Sequence, residues 1–347
     1  MNILLIGGTG FIGPWVAGHL MEQGHEVAVF HRGQTNGNLP TGVRHIKGLR
    51  RHLPDYASEF REFAPEVVVD FILANEAQAR VTMDVFRGMA SRVVALSSGD
   101  VYRAVAIIHG LEDGPPQPVP LTEDSELRTQ KPYRQEELLM LAGVFPWIGE
   151  EYDKIPVERV VLNDTQLAGT ILRLPMVYGP GDPLHRLYPY IQRMRDGRRA
   201  ILIQKDAAGW RAPRGYVENV AAAIALAAVS DNAAGRIYNI ADAETFSEAE
   251  WIKSIARVAG WTGAIVPVPK EQIPEHLRVP FDSKQHWTMS SERIRSELGF
   301  WEPVPIDPAI ERSIAWERAN RPRRDPKQFD YAAEDQALEA IGYRNSN

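Results

Sequence analysis

The chain has no cysteine, which excludes disulfides, a thiolate nucleophile and any Cys-ligated zinc. No apolar run approaches the roughly 18 residues of a membrane-spanning helix, and no block of like charge marks an interaction tail. A basic excess is missing too. With 45 acidic against 39 basic residues the formal net charge is −6, so no nucleic-acid partner and no membrane partner is expected. The nine histidines show no His-x-x-x-His spacing, and no metal site is expected. The first strand begins at residue 2, which leaves no space for a leader, so a cytoplasmic location is expected.

What is present is an ordinary globular composition, 44% hydrophobic and 24% charged over 347 residues, long enough for two packed units. The organising stretch is Met1-Asn-Ile-Leu-Leu-Ile-Gly-Gly-Thr-Gly-Phe-Ile-Gly13. Asn2 to Ile6 reads as a buried parallel strand. Gly7, Gly10 and Gly13 follow, and then an apolar stripe at helical spacing (Phe11, Ile12, Trp15, Val16, Leu20, Met21). In a strand, glycine turn and helix of this kind the backbone bends tightly. A pyrophosphate can then sit against unpaired N–H groups at the positive end of the helix dipole. Gly7, Thr9, Gly10, Phe11, Ile12 and Gly13 are therefore expected to touch a dinucleotide. The spacing differs by one residue from the usual Gly-x-Gly-x-x-Gly, but a second strand, Glu26 to His31, follows in the right place.

The end of that second strand bears on the coenzyme. A carboxylate there holds the ribose hydroxyls of NAD, whereas an arginine accommodates the 2′-phosphate of NADP. The strand ends Phe30-His31-Arg32-Gly33, so NADP is favoured over NAD, with Arg32 on the phosphate and His31 beside it. Residues 34 to 42 read as loop. Further strands are expected at Val43 to Lys47, Val67 to Leu73 and Arg92 to Leu96, with helices at Ser58 to Phe63 and Asn75 to Met89. Strands alternating with helices imply an α/β fold, a Rossmann-type doubly wound parallel sheet that binds ligands at the C-terminal strand ends.

The fifth strand leads into Ser97-Ser98-Gly99-Asp100-Val101-Tyr102. With the N-terminal glycines, this segment resembles the extended short-chain dehydrogenase/reductases, the NAD(P)-dependent epimerase/dehydratase family. So do Leu172-Arg-Leu-Pro-Met-Val-Tyr-Gly-Pro-Gly-Asp182, Arg214-Gly-Tyr-Val-Glu-Asn-Val-Ala-Ala-Ala-Ile224, Tyr238-Asn-Ile-Ala241 and Ser296-Glu-Leu-Gly-Phe300. The segments stand in the family's order over residues 1 to about 318. The resemblance implies a dinucleotide-binding unit at 1–178, rejoined by 215–242, and a smaller C-terminal α/β substrate unit at 179–214 and 243–347. It also implies coenzyme contacts at Leu73, Ser97, Lys154, Pro175 and Val177, and a homodimer.

Residues 103 to 149 are long and proline-rich (Gly114-Pro-Pro-Gln-Pro-Val-Pro120) and read as a lid or substrate loop. A helix is expected from about Gly149 to Ala168. In the resembled family a tyrosine four residues before a lysine supplies the acid/base group. Lys154, with Glu158 four residues on, matches that lysine, but Glu150 stands in the tyrosine position and Tyr152 only two residues away. Two residues of helix are a rotation of about 200°, which would put Tyr152 and Lys154 on opposite faces. Pro156 offers a way out, because proline suits the first helical turn; a helix starting near Lys154 leaves Tyr152 free to turn inward.

Three readings follow. Tyr152 is the proton donor, with Lys154 on the ribose and Ser98 orienting the carbonyl. Or a carboxylate acts, either Asp100, placed where the family's sugar dehydratases carry an acidic residue, or Glu150. Or Lys154 merely pairs with Glu150, Glu151 or Glu158, and the protein is a catalytically silent dinucleotide binder that senses redox state or binds RNA or another partner.

On the substrate side, Met176 stands where sugar-nucleotide members commonly have asparagine, and Ala212 near the position of their diphosphate arginine. Arg193, Arg195, Arg198, Arg199, Arg211 and Arg214 form a locally cationic set suited to a phosphate or carboxylate. Ser98, Met176, Arg211 and Arg214 are therefore expected to touch the substrate. That substrate is expected to be a small sugar-like, anionic molecule such as a nucleotide sugar, oxidised, reduced, epimerised or dehydrated through hydride transfer at a secondary alcohol or ketone carbon. Helices at Leu187 to Arg195, Val217 to Val229, Ser247 to Val258 and Pro308 to Ala319 complete the expectation, with a polar tail beyond Arg321.

Overall fold

The structure is a computed structural model that describes residues 1–34 and 38–343. Positions 35–37 of the expected loop and 344–347 of the tail lie outside the described residues. The chain begins with β1 (Asn2–Ile6), α1 (Gly13–Glu22), β2 (Glu26–His31), β3 (Arg44–Lys47), α2 (Ala57–Phe63), β4 (Val67–Asp70), α3 (Glu76–Phe86) and β5 (Arg92–Ser98). It continues through α4 (Arg103–Ile108), α5 (Gln135–Val144), α6 (Lys154–Leu162), β6 (Ala168–Leu174) and β7 (Met176–Tyr178). Then come α7 (Tyr188–Arg195), β8 (Ala200–Gln204), β9 (Arg214–Tyr216), α8 (Val217–Val229) and β10 (Ile237–Asn239). The last elements are α9 (Glu248–Ala259), β11 (Ala264–Val268), α10 (Glu292–Leu298), α11 (Ile306–Ala319) and α12 (Tyr331–Ala340).

Seven strands form one parallel sheet in the order β10-β6-β5-β4-β1-β2-β3, with β1 an interior strand between β4 and β2. Because successive side chains of a strand point to opposite faces, β1 feeds two cores at once. Ile3 and Leu5 pack with Val16, Ala17 and Leu20 of α1 and Val220 and Ile224 of α8. Leu4 and Ile6 pack with Phe60, Met83 and Phe86 and with Val157 and Val161 of α6. Helices therefore cover both faces, the reason the strands read as continuous apolar runs. Two shorter parallel pairs, β8 with β11 and β7 with β9, lie outside this sheet.

Three expectations change. Residues 103–149 are not an extended loop, since they hold α4 and α5. Ala104 to Ile108 are all buried, and a helix apolar on every side is stable only inside protein. The Gln-Glu-Glu-Leu-Leu-Met-Leu start of α5 is rich in helix formers, with acidic residues in the first turn. The expected helix at Gly149 to Ala168 shrinks to Lys154–Leu162. The tail carries α12, started by Asp330 accepting the Ala333 N–H at 3.0 Å and docked by a buried Arg193–Glu334 ion pair at 2.7 Å.

Candidate active site

The turn after β1 runs from Gly7 to Gly13. Gly7 has φ +80°, the left-handed region that suits glycine. A Cβ on Gly13 would collide with the backbone carbonyl of Gly8, so α1 sits tight against the turn. A Cβ on Gly10, by contrast, would meet no atom within 4 Å. The bare backbone there faces open space at the start of α1, whose first turn has no capping side chain and no acidic residue. A helix start without a capping side chain, no competing negative charge and room for a ligand are what a pyrophosphate requires, so the residues fit a dinucleotide. Phe11 and Ile12 are half-buried beside it, Phe11 against Gly181, and Thr9 lies in the same turn.

At the end of β2, His31 is buried and both of its ring nitrogens are used. Nδ1 accepts the Gly33 N–H at 3.2 Å and Nε2 lies 3.0 Å from His45 Nδ1. Burial first, then His45 and Lys47, lower its pKa, so His31 serves as a neutral strut. Arg32 and Lys47 are exposed there, and the Lys47 chain passes beside Gly33.

The segment from Tyr152 to Lys154 resolves the spacing problem through its backbone. Asp153 is extended (φ −160°, ψ 120°) and caps α6 by accepting the Ile155 N–H at 3.1 Å, while its own N–H donates to the Ala74 carbonyl at 2.9 Å. Arg128 holds its carboxylate at 2.6 Å. The regular helix therefore begins at Lys154, and Tyr152 turns inward to 4% exposure. Tyr152 Oη donates to Asp100 Oδ2 at 2.9 Å, and Tyr133 Oη donates to the same oxygen at 3.2 Å. Asp100 follows β5 and is 1% exposed. Its N–H donates to Ser98 Oγ at 3.2 Å, and its Oδ1 is buried without a hydrogen-bond partner.

Lys154, 2% exposed, donates from Nζ to the carbonyls of Leu73 and Leu96. The ammonium also stands 5.7 Å from the Tyr152 ring centroid and 5.0 Å from that of Trp147. Burial lowers its pKa from 10.5 to about 8, against the pull of Asp100 and Asp70. Burial likewise raises the Asp100 pKa, opposed by Arg128, Tyr152 and Lys154. It drives that of Tyr152 well up, helped by the charge of Asp100.

The pairing of Lys154 with Glu150, Glu151 or Glu158 is not formed. Glu150 and Glu151 are exposed. Glu158 is buried against Arg173, which grips it through Nη2 at 2.7 Å and Nε at 3.0 Å, and it also accepts the Ser97 hydroxyl at 2.6 Å. The Ser97 side chain is thus committed to the protein. Pro175 ends β6, and Val177 is buried in the core of β7.

The cationic set of the substrate side is also largely committed. Arg193 is buried with Glu334, Arg198 pairs with Asp335, Arg211 with Glu250 at 3.1 Å, and Arg214 with Glu248 at 2.5 Å. Met176 is half-buried and packs in a cluster with Trp210, Phe281 and Trp287. Sequence reasoning did not find Arg128, Tyr133 or Trp147. No motif announces them; only the helical character of 135–144, once noticed, marks Tyr133 as lying just before a helix.

A glycine-turn parallel sheet with serine, tyrosine and lysine gathered at the C-terminal edge of β5 defines a dinucleotide-dependent enzyme of the short-chain dehydrogenase/reductase kind. The description "NAD dependent epimerase/dehydratase family" matches residues 3–241, and the chain belongs to that family. It is similar to a UDP-glucose 4-epimerase of Streptomyces lividans, 28% identical over 342 residues, 90% of this chain and 94% of the relative. It is 27% identical to the 2′-dehydrokanamycin reductase of Streptomyces kanamyceticus over 80% of this chain and 72% of that one. Among solved structures, the dTDP-glucose 4,6-dehydratase of Bacillus anthracis in complex with NAD superposes with a TM-score of 0.66 at 16% identity, covering 92% of this chain and 97% of that one. Among the described residues no helix is long and apolar enough to cross a membrane.

Proposed function

We propose that the protein moves hydride between nicotinamide C4 and the secondary alcohol or ketone carbon of a small molecule, with Tyr152 and Asp100 handling the accompanying proton. The observation that carries this reading is the buried hydrogen bond from Tyr152 Oη to Asp100 Oδ2, with the Lys154 ammonium beside the same ring. Bound coenzyme supplies or accepts the hydride at the glycine cradle. In the reducing direction the substrate oxygen gains negative charge, and Tyr152 gives it the phenolic proton. Asp100, whose burial favours the protonated form, returns a proton to the tyrosine. In the oxidising direction the alcohol proton passes to Tyr152 Oη as the phenolic proton passes to Asp100 Oδ2. Neither step leaves an isolated buried phenolate, whose formation the raised Tyr152 pKa opposes. Lys154 has three donors; two are held by the Leu73 and Leu96 carbonyls and fix the ammonium in place, and the third is left for the nicotinamide ribose. Ser98 is the hydroxyl nearest in sequence that can orient the carbonyl.

For the coenzyme, the exposed Arg32 and Lys47 and the absence of a carboxylate in His31-Arg32-Gly33-Gln34 favour NADP over NAD. Both relatives named above act, by their names, on sugar or aminoglycoside compounds, which supports a secondary alcohol or ketone as the reacting group. The ion-paired arginines lend no support to an anionic substrate.

The test is NADPH oxidation with a panel of ketones by the natural protein and by Tyr152→Phe and Asp100→Asn. Each variant is expected to lose about 10²–10⁴ in kcat while binding coenzyme normally. Wild-type turnover in both would remove these residues from the mechanism.

A further inference from the structure

Ser98 pairs with Leu174 across the β5–β6 ladder, so Gly99 and Met176 both lie just past the C-terminal edge of the same two strands. Trp287 spans them. A Cβ on Gly99 would meet Trp287 Cζ2 at 2.9 Å and Nε1 at 3.2 Å, and the same indole belongs to the apolar cluster of Met176 and Phe281. Trp210 is buried behind this cluster, whereas Met176, Phe281 and Trp287 keep part of their surface in contact with solvent. The indole is held in place from behind. The Trp287 backbone N–H donates to the Arg211 carbonyl at 2.9 Å, and the Trp210 indole Nε1 donates to the Gln285 carbonyl at 2.8 Å.

Two buried polar atoms stand beside Gly99, one on Trp287 and one on the adjacent Asp100. Trp287 Nε1 is a buried donor without an acceptor, and Asp100 Oδ1 is a buried acceptor without a donor. Buried polar groups are rarely left unpaired, and one donor with one acceptor suits a ligand hydroxyl, which can accept from the first and donate to the second. The cations that might have met a diphosphate are spent elsewhere. Arg214 is held by Glu248 and lies 4.8 Å from the Trp251 ring, and Arg211 is held by Glu250 and by the Thr245 carbonyl at 2.5 Å. A diphosphate here would have to break one of these pairs.

We infer that the substrate of this site is an uncharged carbonyl compound, or its alcohol, with an aromatic ring that stacks on Trp287, Met176 and Phe281 and an oxygen that accepts from the Trp287 indole. The inference rests on the reacting end of the site being the Ser98, Asp100 and Tyr152 group proposed above. It concerns what lies beyond that group.

The experiment is equilibrium titration of the full chain saturated with NADP⁺, so that binding is read without turnover, using 4′-hydroxyacetophenone and UDP-glucose as probes. The expected result is a Kd for the aryl ketone at least tenfold below that for UDP-glucose. Trp287→Phe, which keeps the ring and removes the N–H, weakens the aryl ketone a few-fold, and Trp287→Ala weakens it tenfold or more. Neither changes UDP-glucose binding, and unchanged thermal unfolding of the Phe variant shows that its effect is not loss of fold. Tighter binding of UDP-glucose, no binding of the aryl ketone, or an aryl ketone affinity indifferent to both substitutions would each overturn the inference. Because Tyr152→Phe is not expected to alter these titrations, an inactive enzyme that still binds the aryl ketone faults the proton-transfer reading and leaves this one standing.

Discussion

The proposed coenzyme cradle and the proposed proton-handling cluster are a few residues wide and lie on one edge of one sheet, yet they are built in opposite ways. The cradle is a single run of chain, Gly7 to Gly13, and acts through its backbone. The cluster draws Ser98, Asp100, Arg128, Tyr133, Tyr152 and Lys154 from over fifty residues of chain and acts through buried side chains that hold one another. The first tolerates no bulk; the second tolerates no missing partner.

The contrast is tested most severely on the support of the cluster. Arg173 and Glu158 are both buried, and Glu158→Ala leaves the guanidinium uncompensated. The expected loss is about 3–5 kcal/mol in urea unfolding, and a loss below about 1 kcal/mol would show the pair to be dispensable. On the cradle side, Gly10→Ala and Gly13→Val separate ligand space from packing. Gly13→Val collides with the Gly8 backbone and is expected to destabilise the fold by several kcal/mol. Gly10→Ala leaves the melting temperature unchanged and weakens NADP⁺ binding by about tenfold or more in calorimetry, about 1.4 kcal/mol. Equal coenzyme affinity in Gly10→Ala and the natural protein would argue that phosphates do not sit at this turn.

Titration gives a third comparison. The Lys154 ammonium, with its pKa lowered to about 8, is lost as pH rises through that value, so ketone reduction falls above pH 8. A Lys154→Arg variant, whose charge does not titrate there, lacks that inflection. The sign for stability is opposite. Unfolded lysine keeps its proton to about pH 10.4, so between about 8 and 10 the unfolded chain binds more protons, and this residue's contribution to stability increases with pH. A rate that stays level from pH 7 to 9.5 would separate Lys154 from the chemistry. The smallest effect expected is that of Arg32→Ala, a several-fold weaker NADPH affinity with NADH unaffected; equal weakening of both coenzymes would count against an Arg32 contact with the 2′-phosphate.

How much of this was legible in the sequence follows the same division. Strands of Val, Ile and Leu with glycine punctuation announce a parallel sheet, and the order of β1, α1 and β2 could be read directly. The start of α6 near Lys154 was foreshadowed by Pro156, because proline and an extended preceding residue constrain the local backbone. The partner of Glu158 was not legible, since Arg173 is fifteen residues away on another element. Nor were the partners of the arginines: Arg193 reads as a surface cation until α12 folds back and places Glu334 against it.

The sequence by itself therefore determined the parallel sheet and its glycine turn, because those depend on backbone conformation and periodic burial within short windows. Only the tertiary structure decided that Tyr152 faces Asp100, that Tyr133 shares the same carboxylate, that Arg193, Arg198, Arg211 and Arg214 are ion-paired, and that Trp287 covers Gly99. Those contacts join segments distant in the chain, and their energies come from desolvation and pairing, which exist only once the segments have packed together.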